Sequence, residues 1–266
     1  MAPGARSSVR IKTAFISDLH LGTRDCHAAE LADFLRQVEM EQLFLVGDII
    51  DLWSMRRGIY WPASHHEVLR LIVEKARTGT QVIYVPGNHD ELARTLCGSL
   101  LAGVEVHHEY VHTTRKGHQM LVLHGDVFDG AVRFSKVLKA TGCALYSAAL
   151  FLGHYINLAR GLLGLPRWSL ATWIKSRVGD AREYVERFER AAAHEASRRG
   201  FDGIICGHIH RPRLAKIEGV LYCNDGDWVE HCTALVEDRN GDLRLWKHCA
   251  ESPQLIAVET AVRQAA

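Results

Sequence analysis

Five short apolar runs in this chain each end in residues that can hold a cation or move a proton. AFISDLH (14–20) ends in Asp18 and His20, and LFLVGDIIDLW (43–53) carries Asp48 directly after Gly47. VIYVPGNHD (82–90) ends in Asn88, His89 and Asp90, MLVLHGD (120–126) delivers His124, and IICGHIH (204–210) delivers His208 and His210. An apolar run that stops at a glycine and a carboxylate reads as a buried strand, and open α/β sheets bind ligands at the carboxyl ends of their strands. Oxygen donors mixed with imidazoles suit divalent transition ions, among them Mn²⁺, Zn²⁺, Fe²⁺ and Co²⁺, better than Mg²⁺ or Ca²⁺. Asp48 is the candidate bridge between two ions, because its strand lies between the other ligand strands in sequence. Two such ions, about 3.5–4 Å apart, acidify water and neutralise phosphoryl charge, which is the chemistry of phosphoester hydrolysis. His89 directly follows Asn88, and the two cannot easily face one ion from an extended turn. That makes His89 the candidate general acid for a leaving oxygen, with Asp90 to orient it.

The elements between these runs follow from periodicity. Residues 27–39 place Leu31, Phe34, Leu35 and Val38 on one helical face. The stretch DLWSMRRGIYWPAS reads as a long loop, and SHHEVLRLIVEKARTG reads as a helix with Ser64 as its N-cap. VEVHHEYVHTTRKGHQMLVLHGD alternates as two strands joined near Lys116-Gly117. Residues 132–200 are helical in pattern, and strands resume at FDGIICGHIH and continue to residue 249. The expected layout is therefore an α/β core over 9–130 and 201–249, a helical insertion over 131–200, and a tail over 250–266 without clear signal.

The whole chain has 266 residues, a formal net charge of +1 and 24% charged residues, which is ordinary for a globular protein and no sign of a nucleic-acid binder. The charge is unevenly spread. Arg133, Lys136, Lys139, Arg160, Arg167, Lys175 and Arg177 fall between residues 131 and 179 with no carboxylate among them. Inside this stretch, 143–159 has no formal charge, but His154 and Asn157 interrupt it and its length is at the bottom of the spanning range. Its basic flanks favour a helix that lies in a membrane interface or covers a lipid-like substrate, with a packed cap helix as the plainer alternative. The seven cysteines include no CxxC pair, which excludes a zinc ribbon and a disulfide framework and fits a reducing cytosol. MAPGARSSVR lacks the apolar segment of a signal peptide and is expected to be a short frayed leader. His108-Glu109-Tyr110-Val111-His112 matches H-E-x-x-H, but that motif needs a helix, and this segment has the composition of a strand.

Taken together, DLH (18–20), GDIID (47–51), GNHD (87–90), HGD (124–126) and GHIH (207–210) resemble, in order, the five blocks of the calcineurin-like metallophosphoesterases. The resemblance implies a four-layer α/β/β/α sandwich with a helical cap insertion. It implies one metal on Asp18, His20, Asp48 and His210 and a second on Asp48, Asn88, His124 and His208, with Mn²⁺ the commonest ion in bacterial members. Within that family, GDIIDLW and the helical insertion after HGD are similar to the UDP-2,3-diacylglucosamine pyrophosphatases of lipid A synthesis. That branch hydrolyses the pyrophosphate of an acylated sugar nucleotide to lipid X and UMP. The likeness implies an anionic, lipid-linked nucleotide substrate, substrate contacts from Lys175, Arg177 and Arg133, and a cytoplasmic enzyme peripheral at the inner membrane. Two features differ from the branch: His89 stands where it has arginine, and the segment 222–232 (YCNDGDWVEHC) departs from its pattern. Other lipid-linked diphosphates, nucleotides or phosphodiesters, and a metal-free interaction scaffold, are the competing readings.

Overall fold

The computed structural model describes residues 9–130, 151–158, 160–162, 168–169, 179–248 and 254–256. Strand β1 (Val9–Ile16) leads into helix α1 (Ala28–Gln37), which buries Leu31, Phe34 and Leu35. Strand β2 (Val38–Leu45) follows without a loop. The expected helix ran to residue 39, but over residues 38–41 burial alternates from one residue to the next, and that two-residue period ends the helix. A single turn, α2 (Leu52–Met55), precedes helix α3 (Ala63–Arg77), which begins after Pro62 rather than at a Ser64 cap. Strand β3 (Gln81–Tyr84), a 3₁₀ turn at Glu91–Leu96, and the short strands β4 (Leu100–Leu101) and β5 (Val104–Val106) come next. The expected hairpin is β6 (Tyr110–Thr113) and β7 (Gln119–Val122). Helix α4 (Gly179–Arg198) leads to β8 (Gly203–Cys206), β9 (Arg213–Ile217), β10 (Val220–Asn224), β11 (Thr233–Glu237) and β12 (Leu243–Lys247). A last strand, β13 (Gln254–Ile256), pairs with β12 where the sequence carries no signal.

These strands form two sheets among the described residues, in the orders β13-β12-β11-β1-β2-β3-β5-β4 and β6-β7-β8-β10-β9. The central pairs β1–β2–β3 and β7–β8–β10 are parallel. Parallel strands covered on both faces must be apolar throughout, and the alternation then sorts their residues by layer. Phe15, Phe44, Ile83 and Leu235 from the larger sheet join Met120, Val122, Ile205 and Cys223 from the smaller one in a core between the sheets. Phe15 and Phe44 sit side by side in register, with ring centroids 4.7 Å apart. Ala14, Ile16, Leu43 and Val82 face the other way and pack with α1 and α3. The fold is thus the mixed α/β, two-sheet arrangement with helices that the resemblance implied.

The chain divides into two compact units, Met1–Asp126 with Ala192–Ala266, and Val127–Ala191. In the second unit residues 151–158 are helical, and Phe151, Leu152, Tyr155, Leu158 and Leu162 are exposed. Asn157, which interrupts the uncharged run, donates to the Trp168 carbonyl and accepts from the Trp168 N–H. No helix of the described residues is long and apolar enough to cross a membrane. Arg133, Lys175 and Arg177 lie outside the described residues.

Candidate metal centre

The five strand ends meet. Asp18 and His20 follow β1, Asp48 follows β2, Asn88 and His89 follow β3, His124 follows β7, and His208 and His210 follow β8. Parallel pairing brings these ends to one edge of each sheet, and the backbone is bent sharply where the ligands stand. Asp18, His20, Asp48, His208 and His210 all have left-handed backbone angles, with φ of 51°, 48°, 53°, 69° and 50°. A side chain other than glycine costs about 1–3 kcal/mol in such a conformation, and it persists where the surroundings over-determine it. Two glycines make room for the bend. A Cβ on Gly87 would lie 2.7 Å from Asp48 N and 2.8 Å from His124 Cδ2, and one on Gly207 would strike Ser17 and Asp18.

Two groups of donor atoms result. Asp18, His20 and His210 form one group and Asp48, His124 and His208 the other, with the donor atoms of each within 4.8 Å of one another. His210 Nε2 is 3.1 Å and His20 Nε2 3.8 Å from Asp18 Oδ1, and the two Nε2 atoms are 3.3 Å apart. Asp48 Oδ2 lies 3.4 Å from His124 Nε2 and 3.9 Å from His20 Nε2, so one carboxylate touches both groups. Asp18 Oδ1, Asn88 Oδ1 and His124 Nε2 are buried without a hydrogen-bond partner. Buried polar atoms are normally satisfied, so orphans that converge from separate strands fit a cation. The imidazoles also have suitable tautomers. His124 Nδ1 is 2.8 Å from the Val46 carbonyl and His20 Nδ1 is 3.1 Å from Asp51 Oδ2. Donation at Nδ1 leaves the Nε2 lone pair free.

The electrostatics record the same concentration of charge. Burial opposes ionisation of Asp48, but His124, and then His20, hold its carboxyl well below the usual range. Burial likewise opposes charge on His20, yet Asp51, Asp48 and Asp18 raise it to about 9. His124 is pushed up in the same way, against burial, by Asp48. The cluster thus gathers buried carboxylates and imidazoles whose charges depend on one another, a setting that a bound cation would balance.

His89 stands apart from both groups. Its Nδ1 is 3.0 Å from Asp51 Oδ2, its ring lies 4.3 Å from that of Trp53, and its backbone N–H donates to Asp48 Oδ1 at 2.9 Å. Asp90, expected to orient His89, does something else. Its carboxylate accepts from the backbone N–H groups of Gly87 (2.6 Å), Ile49 (2.7 Å) and Asp48 (3.3 Å), and so ties the two ligand loops together. The carboxylate beside His89 is that of Asp51, which sequence reasoning passed over although GDIID displays it. Asp51 also holds His20, and accepts from Ser54 N at 2.7 Å. The close grouping of His20, Asp51 and His89 follows from the Asp51 carboxylate, which is hydrogen-bonded to His20 and lies 3.0 Å from His89 Nδ1.

A model of the calcineurin-like phosphoesterases matches residues 11–212. The chain belongs to that family. A UDP-2,3-diacylglucosamine hydrolase of Xanthomonas campestris pv. campestris is 29% identical over 241 residues, which cover 86% of this chain and 96% of that protein. Its namesake from Haemophilus influenzae is 24% identical, covering 86% of this chain and 95% of its own length. Among solved structures, the E. coli phosphoesterase Yfce aligns over 93% of this chain and all of its own, at 14% identity and a TM-score of 0.48. As a calcineurin-like phosphoesterase the protein is a metal-dependent hydrolase, and divalent ions are what its His/Asp clusters are equipped to bind.

Outside these clusters the phosphoesterase uses further polar residues that carry no sequence motif. Ser17 Oγ lies between Asp18 Oδ2 (2.5 Å) and Asp225 Oδ1 (2.7 Å), and bonds them behind the ligand. Asp225 is wholly buried, and burial drives its carboxyl well above the ordinary range. Asp227 accepts from Val229 N and pairs with His231, so residues 225–232 form a turn between β10 and β11, and the strand expected from Asp227 begins only at Thr233. The H-E-x-x-H residues form no metal group among the described residues. His112, on β6, is buried against Glu237 at 2.8 Å, and Glu109 pairs with Arg199 on the surface.

Proposed function

We propose that this protein is a dinuclear metal-dependent hydrolase that cleaves the pyrophosphate of UDP-2,3-diacylglucosamine to lipid X and UMP. Asp18, His20, Asp48 and His210 hold one ion, and Asp48, Asn88, His124 and His208 the other, with Mn²⁺ as the expected metal. The observation that carries the metal chemistry is the position of Asp48 Oδ2 between the two donor groups, 3.4 Å from His124 Nε2 and 3.9 Å from His20 Nε2. When bound, such a pair of ions supplies an acidified water and neutralises the phosphoryl oxygens. The chain's own part is to aim and to move protons. Water adds its oxygen to phosphorus as the bond to the leaving phosphate oxygen breaks, and His89, held by Asp51, donates a proton to that oxygen. Trp53 packs on His89 and limits its rotation.

The substrate reading is supported by the relatives of matching length named UDP-2,3-diacylglucosamine hydrolase. The basic, uncharged-run insertion, with Arg133, Lys175 and Arg177, suits a substrate that is anionic at one end and acylated at the other. Peripheral association with the inner membrane from the cytoplasmic side belongs to the same reading. A second reading rests on His89. An imidazole can serve as a proton donor where a guanidinium cannot, and this favours a different lipid-linked diphosphate or phosphodiester with a poorer leaving group.

Hydrolysis of UDP-2,3-diacylglucosamine and of bis-p-nitrophenyl phosphate, each with Mn²⁺, separates the two. Release of UMP with strong preference for the lipid nucleotide supports the first reading, whereas turnover of the aryl ester alone refutes it and leaves the second. His89→Ala is expected to retain metal and lose rate; an emptied site would reject its assignment as the acid.

A further inference from the structure

The loop that follows Asp51 has a surface that hydrolysis does not account for. It runs from Leu52 to Pro62 as LWSMRRGIYWP, and no carboxylate occurs anywhere in residues 52–66. Ile59 is 79% exposed and Trp53 43% exposed, while Arg56 and Arg57 are exposed beside them. A neighbouring loop joins this surface. Arg24, also exposed, stacks its guanidinium over Tyr60 at 4.6 Å from the ring centroid, and Gly22 is covered by Met55. Among the described residues, Arg24, Arg56 and Arg57 take part in none of the structure's ion pairs with a carboxylate. The loop is rooted at the site: Asp51, whose carboxylate orients His20 and His89, also caps the first turn at Ser54, and Trp53 lies on His89.

We propose that this loop, with Arg24, is a membrane-contact surface that docks the core on an anionic lipid bilayer beside the catalytic mouth. The occupant follows from chemistry. An aliphatic side chain as open as Ile59 costs free energy in water and regains it in the acyl boundary. Tryptophan and tyrosine favour the headgroup level, where an apolar ring and a polar edge are both satisfied. Unpaired guanidiniums require negative charge opposite them, which phosphate headgroups supply. A nucleic acid would meet the arginines but leave Ile59 without a partner, and a neutral apolar groove would leave the arginines unpaired. The expected insertion at 131–179 is a separate feature; here the contact is placed on the core itself. Its purpose rests on the lipid-linked substrate reading, but its detection does not.

The test is co-sedimentation of the full chain, without substrate, with vesicles of phosphatidylglycerol and phosphatidylcholine, against vesicles of phosphatidylcholine alone. Wild-type protein is expected to bind the anionic vesicles, and more weakly as salt rises. The double variant R56A/R57A is expected to bind about thirtyfold more weakly, from the attraction of each basic residue near an anionic surface. Ile59→Ser is expected to weaken binding at every salt concentration. Both variants should hydrolyse bis-p-nitrophenyl phosphate like the wild type, which shows that they are folded. Wild-type protein that ignores anionic vesicles, or R56A/R57A binding undiminished, overturns the proposal. Displacement from vesicles by a short single-stranded RNA that R56A/R57A no longer binds reassigns the surface and overturns it too. Vesicle binding without turnover of UDP-2,3-diacylglucosamine refutes the substrate reading and leaves the docking surface standing.

Discussion

Replacing Gly87 by alanine adds one methyl group at the tightest point of the site. The backbone there needs no left-handed angle, so alanine meets no conformational penalty and the whole effect comes from the new Cβ. That atom would sit 2.8 Å from His124 Cδ2 and 2.7 Å from Asp48 N, and would press still harder on Asp48 Oδ1. An ordinary contact is roughly 3.5–4 Å, so Asp48 and His124 must retreat by about 1 Å. Asp48 Oδ1 would then lose the His89 N–H, now at 2.9 Å. Cation ligands tolerate errors of only ~0.2 Å, and a 1 Å misplacement costs on the order of 100-fold in rate. Overpacking of this kind costs about 1–3 kcal/mol of stability, which a folded core of this size survives. The expected result is a folded protein with at least one metal missing by elemental analysis after desalting, and activity on an aryl phosphodiester lowered about 100-fold. Gly58→Ala is the control, since nothing lies within 4 Å of its added Cβ. If Gly87→Ala kept both ions and the full rate, the assignment of Asp48 as the shared ligand would be refuted.

Asp51→Asn should lower kcat or metal affinity by about 10- to 100-fold, because one carboxylate orients both His20 and His89; a variant unchanged in metal titration and in turnover would deny it that role. Acid stability should depend on Glu237. Burial opposes its ionisation, but His112, the Arg115 N–H and Lys12 lower its pKa from the ordinary 4.5 to about 2. A carboxyl whose folded pKa is depressed contributes stability that is present above pH 4.5 and lost as pH falls through about 2. Glu237→Gln should therefore be less stable than wild type at neutral pH and lose less between pH 4.5 and 2, measured as denaturation midpoints; equal slopes for the two proteins would rule this out.

The strand ends were readable because a buried parallel strand is apolar on both faces and the residue that breaks the run is conspicuous. Asp18, His20, Asp48, His124, His208 and His210 announce themselves in this way, and the structure brings them together. The local backbone was not readable. Nothing in the residue types at 18, 20, 48, 208 and 210 requires a left-handed angle, which the two sheets impose from outside. Asp51 holds the place expected of Asp90 for the same reason. Adjacency to His89 in sequence suggested Asp90, but the turn faces Asp90 toward backbone amides and leaves the imidazole to Asp51, 38 residues earlier. Ser17 and Asp225, separated by 208 residues, meet only because β1 and β10 belong to sheets that pack face to face.

The division of the donors between the sheets bears on how the protein is made. Asp18, His20, Asp48 and Asn88 extend from the larger sheet, and His124, His208 and His210 from the smaller one. A ribosome releases the three oxygen donors together with His20 first, and the last two imidazoles only after some four-fifths of the chain. Until then the nascent chain offers three hard oxygens and only the imidazoles of His20 and His124, half of the set that favours a transition ion over Mg²⁺. The preference for a transition ion is therefore complete only once the second sheet closes over the first, and a truncated chain lacking β8 would keep His20 and His124 but lose the imidazoles of His208 and His210, one from each donor group.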